Sequence, residues 1–262
     1  MVLMKLFKQK LSHFYGEKMD HNWYKEYYQG SDFLNFGYWT KDTVNQKEAS
    51  ETLMENLLES IPEKKGTILD VACGLGATTR YLLKYYHPSK VTGINLFFNQ
   101  LERSKINAPG CKFLQMDAGK LGFLNSVFDN LICVEAAFHF NTREDFLREA
   151  WRVIKPGGYL VIADILVAKW AARWNPRIPE RNWVKDLKEY RDLYHKVGFK
   201  DVEFVDATNE CWGSFYQNLW DFRREKFVLR ETNLLNYAKM NLRNYVANIG
   251  IKYYLLIAAR RY

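Results

Sequence analysis

Short apolar runs alternate with longer segments of helical periodicity between Thr67 and Val167 of this 262-residue chain. The five apolar runs are TILDVA, KVTGINL, CKFLQMD, FDNLICVEA and GYLVIADIL, and the segments between them include TTRYLLKYY and REDFLREAWRVI. Apolar strands buried on both faces and separated by amphipathic helices are typical of a parallel sheet built from βαβ units. This part of the chain is therefore predicted to form a doubly wound, Rossmann-like α/β sheet.

The flanking segments extend this sheet. Residues 1–60 are predicted to be a helical N-terminal cap, and residues 61–262 the α/β domain. Downstream, KEYRDLYHKVGFKDVEFVDA predicts a helix ending at Gly198 and then a strand, and IKYYLLIAAR predicts a last strand. These two strands complete a seven-stranded sheet. The aromatic-rich segment that joins them, about 207–249, is long enough to fold back as a lid.

Composition narrows the class of protein further. Hydrophobic residues make up 48% of the chain, as in a globular protein. No uninterrupted apolar run reaches the roughly 18 to 20 residues of a membrane helix, and the N-terminus lacks the features of a signal peptide, so a cytoplasmic protein is expected. The cysteines are scattered, with no Cys-x-x-Cys pair and no histidine at ligand spacing, which predicts reduced thiols and no metal site at Cys73, Cys111, Cys133 and Cys211.

The net charge of +8 is concentrated in the C-terminal part. From Leu166 to the end there are 18 Lys and Arg residues against 11 Asp and Glu. This bias favours an anionic substrate, nucleic acid or an anionic membrane as neighbour without choosing among them, and a solvated basic surface explains it equally well.

An apolar stripe near the N-terminus fits either an interfacial helix or a helix docked on the domain. It consists of Leu3, Phe7, Leu11 and Phe14. Peripheral membrane contact stays open, and nothing indicates the oligomeric state.

The stretch ILDVACGLGATT, residues 68–79, predicts a strand that breaks into a glycine turn and then a helix. Gly74 and Gly76 allow the backbone to turn sharply and to approach a ligand closely. A dinucleotide site needs Gly or Ala at Thr79 and an acidic residue near Asn95, and a phosphate-binding P-loop needs Gly-Lys-Ser/Thr. The turn therefore fits neither NAD nor ATP.

Five segments along the chain, in order, resemble the motifs of the class I S-adenosylmethionine-dependent methyltransferases. They are LDVACGLG, VTGINLFFNQ, QMDA, FDNLICVEAAFHF and RVIKPGGYLVIADI. NFGYW and GFKDVEFVD on either side resemble the small-molecule subgroup, which contains tocopherol and sterol C-methyltransferases and natural-product O-methyltransferases. The resemblance implies S-adenosylmethionine as cofactor and methyl transfer to an O, N or C atom of a small acceptor, as in specialised metabolism.

The resemblance also implies which residues contact the cofactor. Asp70 is expected to face the methionine ammonium, directly or through water. Gly74 and Gly76 are expected to pass under the ribose and methionine parts. Asp117 is expected to accept a hydrogen bond from the adenine amino group, and the Ala118 backbone N–H to donate one to the ring.

Two positions depart from the family pattern. Relatives commonly have Gly where this chain has Ala72, so the loop must accommodate a methyl group. Many relatives have Asp or Glu at Asn95 to hold the ribose, and in the subgroup a Gln a few positions on, here Gln100, often reaches the ribose instead. Whether Asn95 or Gln100 holds the ribose stays open.

The complete set of expected cofactor-binding residues is Asp70, Ala72, Gly74, Gly76, Asn95, Leu96, Gln100, Asp117, Ala118 and Glu135.

Methyl transfer from a sulfonium is an in-line displacement from an activated donor, so positioning and the exclusion of water matter most. A hydroxyl or acidic C–H acceptor also benefits from a general base. His139, four residues after Glu135 at the end of the fourth strand, is the candidate base, as in similar O-methyltransferases. Glu135 is expected to orient His139, bind an acceptor ammonium or close the strand. An apolar or aromatic acceptor is suggested by the candidate substrate residues Tyr38, Trp39, Trp212, Phe215, Tyr216 and Trp220.

Three alternatives remain in view. A methyltransferase of lipids or phospholipid headgroups at a membrane surface is the main one. Nucleic-acid binding is not expected, because the sequence after the fourth strand runs from Glu135 through two alanines to Phe138, in place of the Pro-Pro-Tyr/Phe or Pro-Cys motifs of such enzymes. A non-catalytic cofactor-binding protein is disfavoured by the intact cofactor motifs.

Overall fold

The computed structural model describes residues 22–262, apart from the side chains of residues 243, 244 and 247. The predicted N-terminal stripe of Leu3, Phe7, Leu11 and Phe14 lies outside the described residues. The strands are β1 Ile68–Val71, β2 Val91–Asn95, β3 Lys112–Gln115, β4 Phe128–Val134, β5 Ile154–Val167, β6 Val202–Asp206 and β7 Ile251–Arg260. The α-helices are α1 Asn22–Tyr27, α2 Gln46–Glu59, α3 Ala77–Leu82, α4 Phe98–Asn107, α5 Arg143–Val153, α6 Lys169–Trp174, α7 Leu187–Val197, α8 Ser214–Val228 and α9 Leu234–Gly250.

The strands form one seven-stranded sheet in the order β3-β2-β1-β4-β5-β7-β6. The strands β1 to β5 run parallel, and β7 is antiparallel to both β5 and β6. Asp70 on β1 lies opposite Gly93 on β2 and Ile132 on β4. The predicted doubly wound, seven-stranded sheet is thus confirmed, and its strand order reverses at β1, where ligands bind in open α/β sheets.

Apolar side chains fill both faces of the sheet. Along β4, Ile132 points into the core formed with α2 and α3, whereas Leu131 and Cys133 point into the core formed with α5 and α7. This alternation follows from the two-residue period of a strand. Because both faces are covered, the central strands consist of the nearly continuous apolar runs that the sequence shows.

The segment of residues 31–44 between α1 and α2 is held close to the carboxyl ends of the strands. Asp32 forms an ion pair with Arg103 of α4 at 3.0 Å, and its carboxylate also accepts a hydrogen bond from Asn107 Nδ2. The backbone N–H of Phe36 donates to Glu135 Oε1 at 2.7 Å. These long-range contacts make the segment one wall of the site described below.

The chain between β6 and β7 contains a single π-helical turn, Thr208–Gly213, followed by α8 and α9. Trp212 and Phe215 pack on the ring of Phe36, with centroids 4.9 and 4.7 Å away. The role of this segment as a lid stays a prediction, as does the division of the chain at residue 60. Within residues 22–262, no helix has the length and apolar character that a membrane crossing requires.

Candidate active site

A cleft of about 1090 Å³, counted with its open mouth, lies at the carboxyl ends of β1 to β4. The first residues beyond the strands bring Ala72, Asp117 and Glu135 to it, and Asn95 comes from the last position of β2. Side chains of residues 32–35 close one side. The structure brings together in this cleft most of the predicted site residues, namely Ala72, Gly74, Asn95, Leu96, Gln100, Asp117, Ala118, Glu135 and His139.

The turn after β1 takes a left-handed backbone at several positions. Ala72 has φ of 60°, and Gly74 has φ of 56°. A left-handed residue with a Cβ costs roughly 1–2 kcal/mol relative to right-handed backbone. The loop therefore holds the methyl group of Ala72 at a cost in backbone strain.

Gly76 does not line the cleft, in contrast to the expectation that it passes under the cofactor. It has φ of 83°, and a Cβ built on it would lie 2.7 Å from Cα of Ser104 in α4. The glycine is therefore required by the close approach of the turn to α4. Only Gly74 of the two predicted glycines faces the cleft.

Asn95 and Gln100 are hydrogen-bonded to each other. Asn95 Nδ2 donates to Gln100 Oε1 at 2.6 Å and to the Gly74 carbonyl oxygen at 3.1 Å, and Asn95 Oδ1 accepts from the Leu96 N–H at 2.7 Å. Both amide protons of Asn95 thus serve the loop and Gln100, and an acidic residue cannot make these donations. Asn95 is buried and ties β2 to the glycine turn.

Asp70 lies beneath the turn and does not line the cleft. Its carboxylate accepts hydrogen bonds from the hydroxyls of Thr78 and Thr79 at 2.7 and 2.6 Å. Burial raises the pKa of Asp70 to about 6, against the opposing effect of these two hydroxyls. Asp70 thereby fixes the start of α3 below the turn.

Asp117 and Ala118 lie beyond β3, at the far end of the cleft from Glu135. Asp117 is exposed, its Oδ1 accepts from the Gly119 N–H at 3.0 Å, and its carbonyl oxygen accepts from the Lys120 N–H. Ala118 is buried. A carboxylate at the mouth of the cleft beside a buried backbone suits the recognition of a flat heterocycle with an amino group.

Glu135 joins three distant parts of the chain. Its Oε1 accepts hydrogen bonds from the Phe36 N–H at 2.7 Å and from the Tyr254 hydroxyl at 2.6 Å. Its backbone is left-handed, with φ of 51°. Burial and the Glu135 carboxylate raise the pKa of Tyr254 well above its ordinary value, so the hydroxyl is the donor.

His139 ends a short 3₁₀ turn, Ala137–His139, that follows β4. Its Nδ1 lies 2.7 Å from the carbonyl oxygen of Arg177. Because a carbonyl oxygen carries no proton, the proton of this hydrogen bond belongs to Nδ1, and Nε2 is the basic nitrogen of the neutral ring. The ring is buried, and the ring of Phe138 packs against it with centroids 4.0 Å apart.

A buried ion pair supports this turn. Arg143 Nε donates to Asp164 Oδ2 at 2.7 Å, the Tyr190 hydroxyl donates to the same oxygen at 2.6 Å, and the Phe138 N–H donates to Asp164 Oδ1. Burial acts to lower the pKa of Arg143, but Asp164 and Tyr190 outweigh it and the pKa is raised. Arg143 also donates to the carbonyl oxygens of Ile165 and Asn182. The network holds the turn that carries His139.

Asn35 was not predicted to belong to the site. It lines the cleft and is only 4% exposed, and its backbone carbonyl accepts hydrogen bonds from the Tyr28 hydroxyl and Gln46 Nε2. Neither its Oδ1 nor its Nδ2 has a hydrogen-bond partner among the described residues. A buried amide without partners is costly, so this side chain is suited to a polar ligand in the cleft.

The predicted aromatic substrate residues do not line the cleft. Trp212, Phe215 and Tyr216 surround Phe36 in a layer behind it, and Trp212 Nε1 donates to Asn248 Oδ1 at 2.7 Å. Trp39 is buried and donates to the Phe36 carbonyl oxygen. Tyr38 is partly buried against the same core, and Trp220 is exposed beside Tyr237. In this structure these side chains are mainly packing residues.

Comparison with known proteins agrees with this geometry. The model of a methyltransferase domain family matches residues 69–162. Erythromycin 3''-O-methyltransferase of Saccharopolyspora erythraea is 29% identical over 76% of this chain and 73% of its own length. Methyltransferase GfsG of Streptomyces halstedii is 34% identical over 69% of this chain and 70% of its own length.

Among solved structures, geranyl diphosphate C-methyltransferase from Streptomyces coelicolor A3(2) has the same fold, with a TM-score of 0.71. The two chains are 15% identical, and the match covers 98% of each. That protein was crystallised with Mg²⁺, geranyl diphosphate and S-adenosyl-L-homocysteine.

Fold and cleft together define a class I methyltransferase, with an open sheet and a ligand site at the strand ends. The chain belongs to the S-adenosylmethionine-dependent methyltransferases, in the subgroup that acts on small molecules. Its cofactor is S-adenosylmethionine. The cleft fits this cofactor. The buried amide of Asn35 has no partner among the described residues, Gly74 lets the backbone approach a ligand closely, and Asp117 offers a carboxylate.

Proposed function

We propose that the protein methylates a hydroxyl group of a small acceptor that has an apolar part, with His139 as general base. The observation that carries this proposal is the hydrogen bond from His139 Nδ1 to the Arg177 carbonyl oxygen, which makes Nε2 the basic nitrogen of a side chain that lines the cleft. A neutral amine attacks the methyl group with its own lone pair and needs no base for that step. A hydroxyl becomes a better nucleophile when a base removes its proton, so it gains most from His139. Erythromycin 3''-O-methyltransferase, by its name an enzyme that methylates oxygen, supports this choice.

The cofactor supplies an activated methyl group on a sulfonium when it is bound. Asp117 and the Ala118 N–H would hold the adenine, and Gly74 would let the backbone approach the ribose and methionine parts. Gln100 would hold a ribose hydroxyl, because the amide protons of Asn95 already bind Gly74 and Gln100. The Asn35 amide, which has no partner among the described residues, would bind the charged amino acid end of the cofactor.

The acceptor then lies between Glu135 and His139. His139 Nε2 would take the hydroxyl proton of the acceptor, whose oxygen would receive the methyl group that the cofactor supplies. Glu135 does not serve as a second base here, since its Oε1 holds Phe36 and Tyr254. Its role is to hold residues 32–36 against the end of β4 through the hydrogen bond from the Phe36 N–H. Exclusion of water by this wall and by Phe140 protects the donor from hydrolysis.

The acceptor class is tested by measuring S-adenosylhomocysteine release with matched pairs of acceptors. Each pair has the same apolar body and carries either a hydroxyl or an amine, as in a phenol and the corresponding aniline, or a sugar and its amino sugar. Turnover of hydroxyl compounds supports the proposal. Turnover of the amines alone overturns it.

The base is tested with His139→Gln, which keeps a polar side chain but removes the basic nitrogen. We expect kcat for the hydroxyl acceptor to fall about 10²- to 10⁴-fold, the usual contribution of a general base. Affinity for S-adenosylhomocysteine, measured by calorimetry, is expected to stay within about twofold, because a base acts on the acceptor's proton. His195, which lies in α7 and does not line the cleft, provides the control His195→Gln, for which both values stay unchanged. Full turnover by His139→Gln contradicts the assignment.

A further inference from the structure

The helix α9 exposes its apolar side to solvent. Leu235, Leu242 and Ile249 are 77%, 64% and 54% exposed, and Val246 lies on the same side. Residues seven apart fall on one face of an α-helix, so these side chains form a continuous stripe along about 20 Å of the helix.

The opposite side of α9 carries polar residues toward the protein. Asn241 is buried, and Asn248 accepts a hydrogen bond from Trp212 Nε1. A surface helix of a globular protein normally shows the reverse arrangement, with its apolar stripe facing the core. Exposed apolar stripes of this kind mark interaction surfaces.

The helix α6 extends this surface. The Ala168 N–H donates to the carbonyl oxygen of Gly250 at 2.8 Å, so the start of α6 adjoins the end of α9. Trp170 and Trp174, one turn apart on α6, are 44% and 82% exposed. The α9 face is defined here as Leu235, Leu242, Val246, Ile249, Trp170 and Trp174.

The charged side chains that α6 and α9 themselves carry are all basic. Neither residues 165–179 nor residues 232–262 contain an Asp or Glu. Lys169, Arg173 and Lys239 are exposed on these two helices, and none of them forms an ion pair within the described part of the chain. A symmetric dimer through this face would bring two such basic surfaces together, so the charge pattern favours an anionic partner over a second copy.

We propose that the α9 face docks on an anionic lipid bilayer. An apolar stripe flanked by lysines and arginines, with tryptophans at the margin, is the pattern of helices that lie in a membrane interface. The exposed stripe then gains an apolar environment, and the three basic side chains meet lipid phosphates. The proposal concerns a surface outside the cleft and stands whichever acceptor is methylated.

Co-sedimentation of the full chain with vesicles tests the proposal. Vesicles of mixed phosphatidylcholine and phosphatidylglycerol are expected to retain the protein, and vesicles of phosphatidylcholine alone are not. Retention is expected to weaken as salt is raised, because screening shortens the reach of the basic side chains. Absence of binding to the mixed vesicles overturns the proposal.

Variants then locate the contact. The triple substitution Leu235→Gln, Leu242→Gln and Ile249→Gln keeps helix propensity and is expected to lower partitioning at least about tenfold. The matched control replaces three apolar residues elsewhere that are at least as exposed on average, and it is expected to bind as the unchanged chain does: Val44→Gln, Ile106→Gln and Leu124→Gln. Equal partitioning of the two triple variants overturns the proposal.

Two further measurements distinguish a loss of membrane contact from unfolding and from dimer formation. Affinity for S-adenosylhomocysteine should be the same in the unchanged chain and in both triple variants. Equal affinity would show that the fold and the cleft are intact, so that a loss of vesicle binding does not depend on the proposed function. Light scattering reports the oligomeric state in the absence of lipid. A dimer that dissociates in the Leu235, Leu242 and Ile249 variant, without any vesicle binding, would assign the face to contact between copies.

Discussion

The two halves of the cleft are built in different ways. The cofactor half, formed by Ala72, Gly74, Asn95 and Asp117, rests on short-range turns at the ends of β1, β2 and β3. The acceptor half, formed by Glu135 and His139, rests on contacts between residues far apart in sequence. Turns at strand ends therefore supply most of the cofactor half. The acceptor half depends on contacts between distant parts of the chain, as does Asn35, which is proposed to bind the amino acid end of the cofactor.

The largest expected effect concerns the support of the acceptor half. Arg143→Met leaves Asp164 buried without its cation, and we expect the free energy of unfolding to fall by about 3–5 kcal/mol. Denaturant unfolding measures this. The matched control is Lys155→Met, which removes an ion pair of 2.8 Å with Asp129 whose lysine is 42% exposed, and which should cost no more than about 1 kcal/mol.

Arg143 is a positioning residue, so its loss has a second signature. At a temperature where the Arg143→Met variant is folded, kcat is expected to fall more than the affinity for S-adenosylhomocysteine, because the network holds the turn of His139 and lies away from the cofactor half. Equal losses in kcat and cofactor affinity would show that the two halves are not separable.

The next effect sharpens the cofactor half. Asn95→Asp introduces the acidic residue that many relatives have, but an aspartate cannot donate to the Gly74 carbonyl oxygen or to Gln100 Oε1. We expect affinity for S-adenosylhomocysteine to fall about tenfold, which is 1.4 kcal/mol. Asn56→Asp, at an amide that donates to the Thr52 carbonyl oxygen of α2, is the control and should leave affinity unchanged. Tighter binding by Asn95→Asp would mean that the carboxylate holds the ribose and that the loop does not need the amide.

The smallest effect concerns the strain in the glycine turn. Ala72→Gly removes a Cβ from a backbone with φ of 60°, and the relief exceeds the added freedom of the unfolded chain. We expect the variant to be more stable by up to about 1 kcal/mol, or a rise in Tm of roughly 2–4 °C. Ala238→Gly in the middle of α9 should lower stability by about 1 kcal/mol. A lower Tm for Ala72→Gly would show that the turn is not strained.

Features that depend on local sequence could be predicted, whereas features that depend on contacts between distant residues could not. The order of strands and helices followed from apolar runs and helical periodicity, which act over a few residues. The turn of Gly74 was expected at the carboxyl edge of the sheet from the strand pattern, whereas Asn95, Gln100 and Asp117 were assigned through the resemblance to the methyltransferase motifs. Gly76 was placed in the cofactor site because a glycine turn does not reveal which glycine faces a ligand and which faces a helix such as α4.

The residues missed from sequence are those defined by long-range contacts. Asn35 lies in the NFGYW segment, whose aromatic residues gave the stronger sequence signal. Its amide becomes buried only when residues 32–36 pack on the strand ends. Asp164 carried a visible signal, since an acidic residue inside the apolar strand GYLVIADIL requires a buried partner. The identity of that partner, Arg143, and the Arg177 carbonyl that binds His139 could not be read from local pattern.

We propose that one cleft holds the cofactor between Asp117 and Asn35 and presents its reacting end to His139. A crystal structure of the complex with S-adenosylhomocysteine would show whether it does. We expect the adenine beside Asp117, the amino acid end hydrogen-bonded to the Asn35 amide, and the sulfur on the side of the cleft that His139 lines. A complex in which Asn35 stays without a partner and the sulfur lies away from His139 would contradict it.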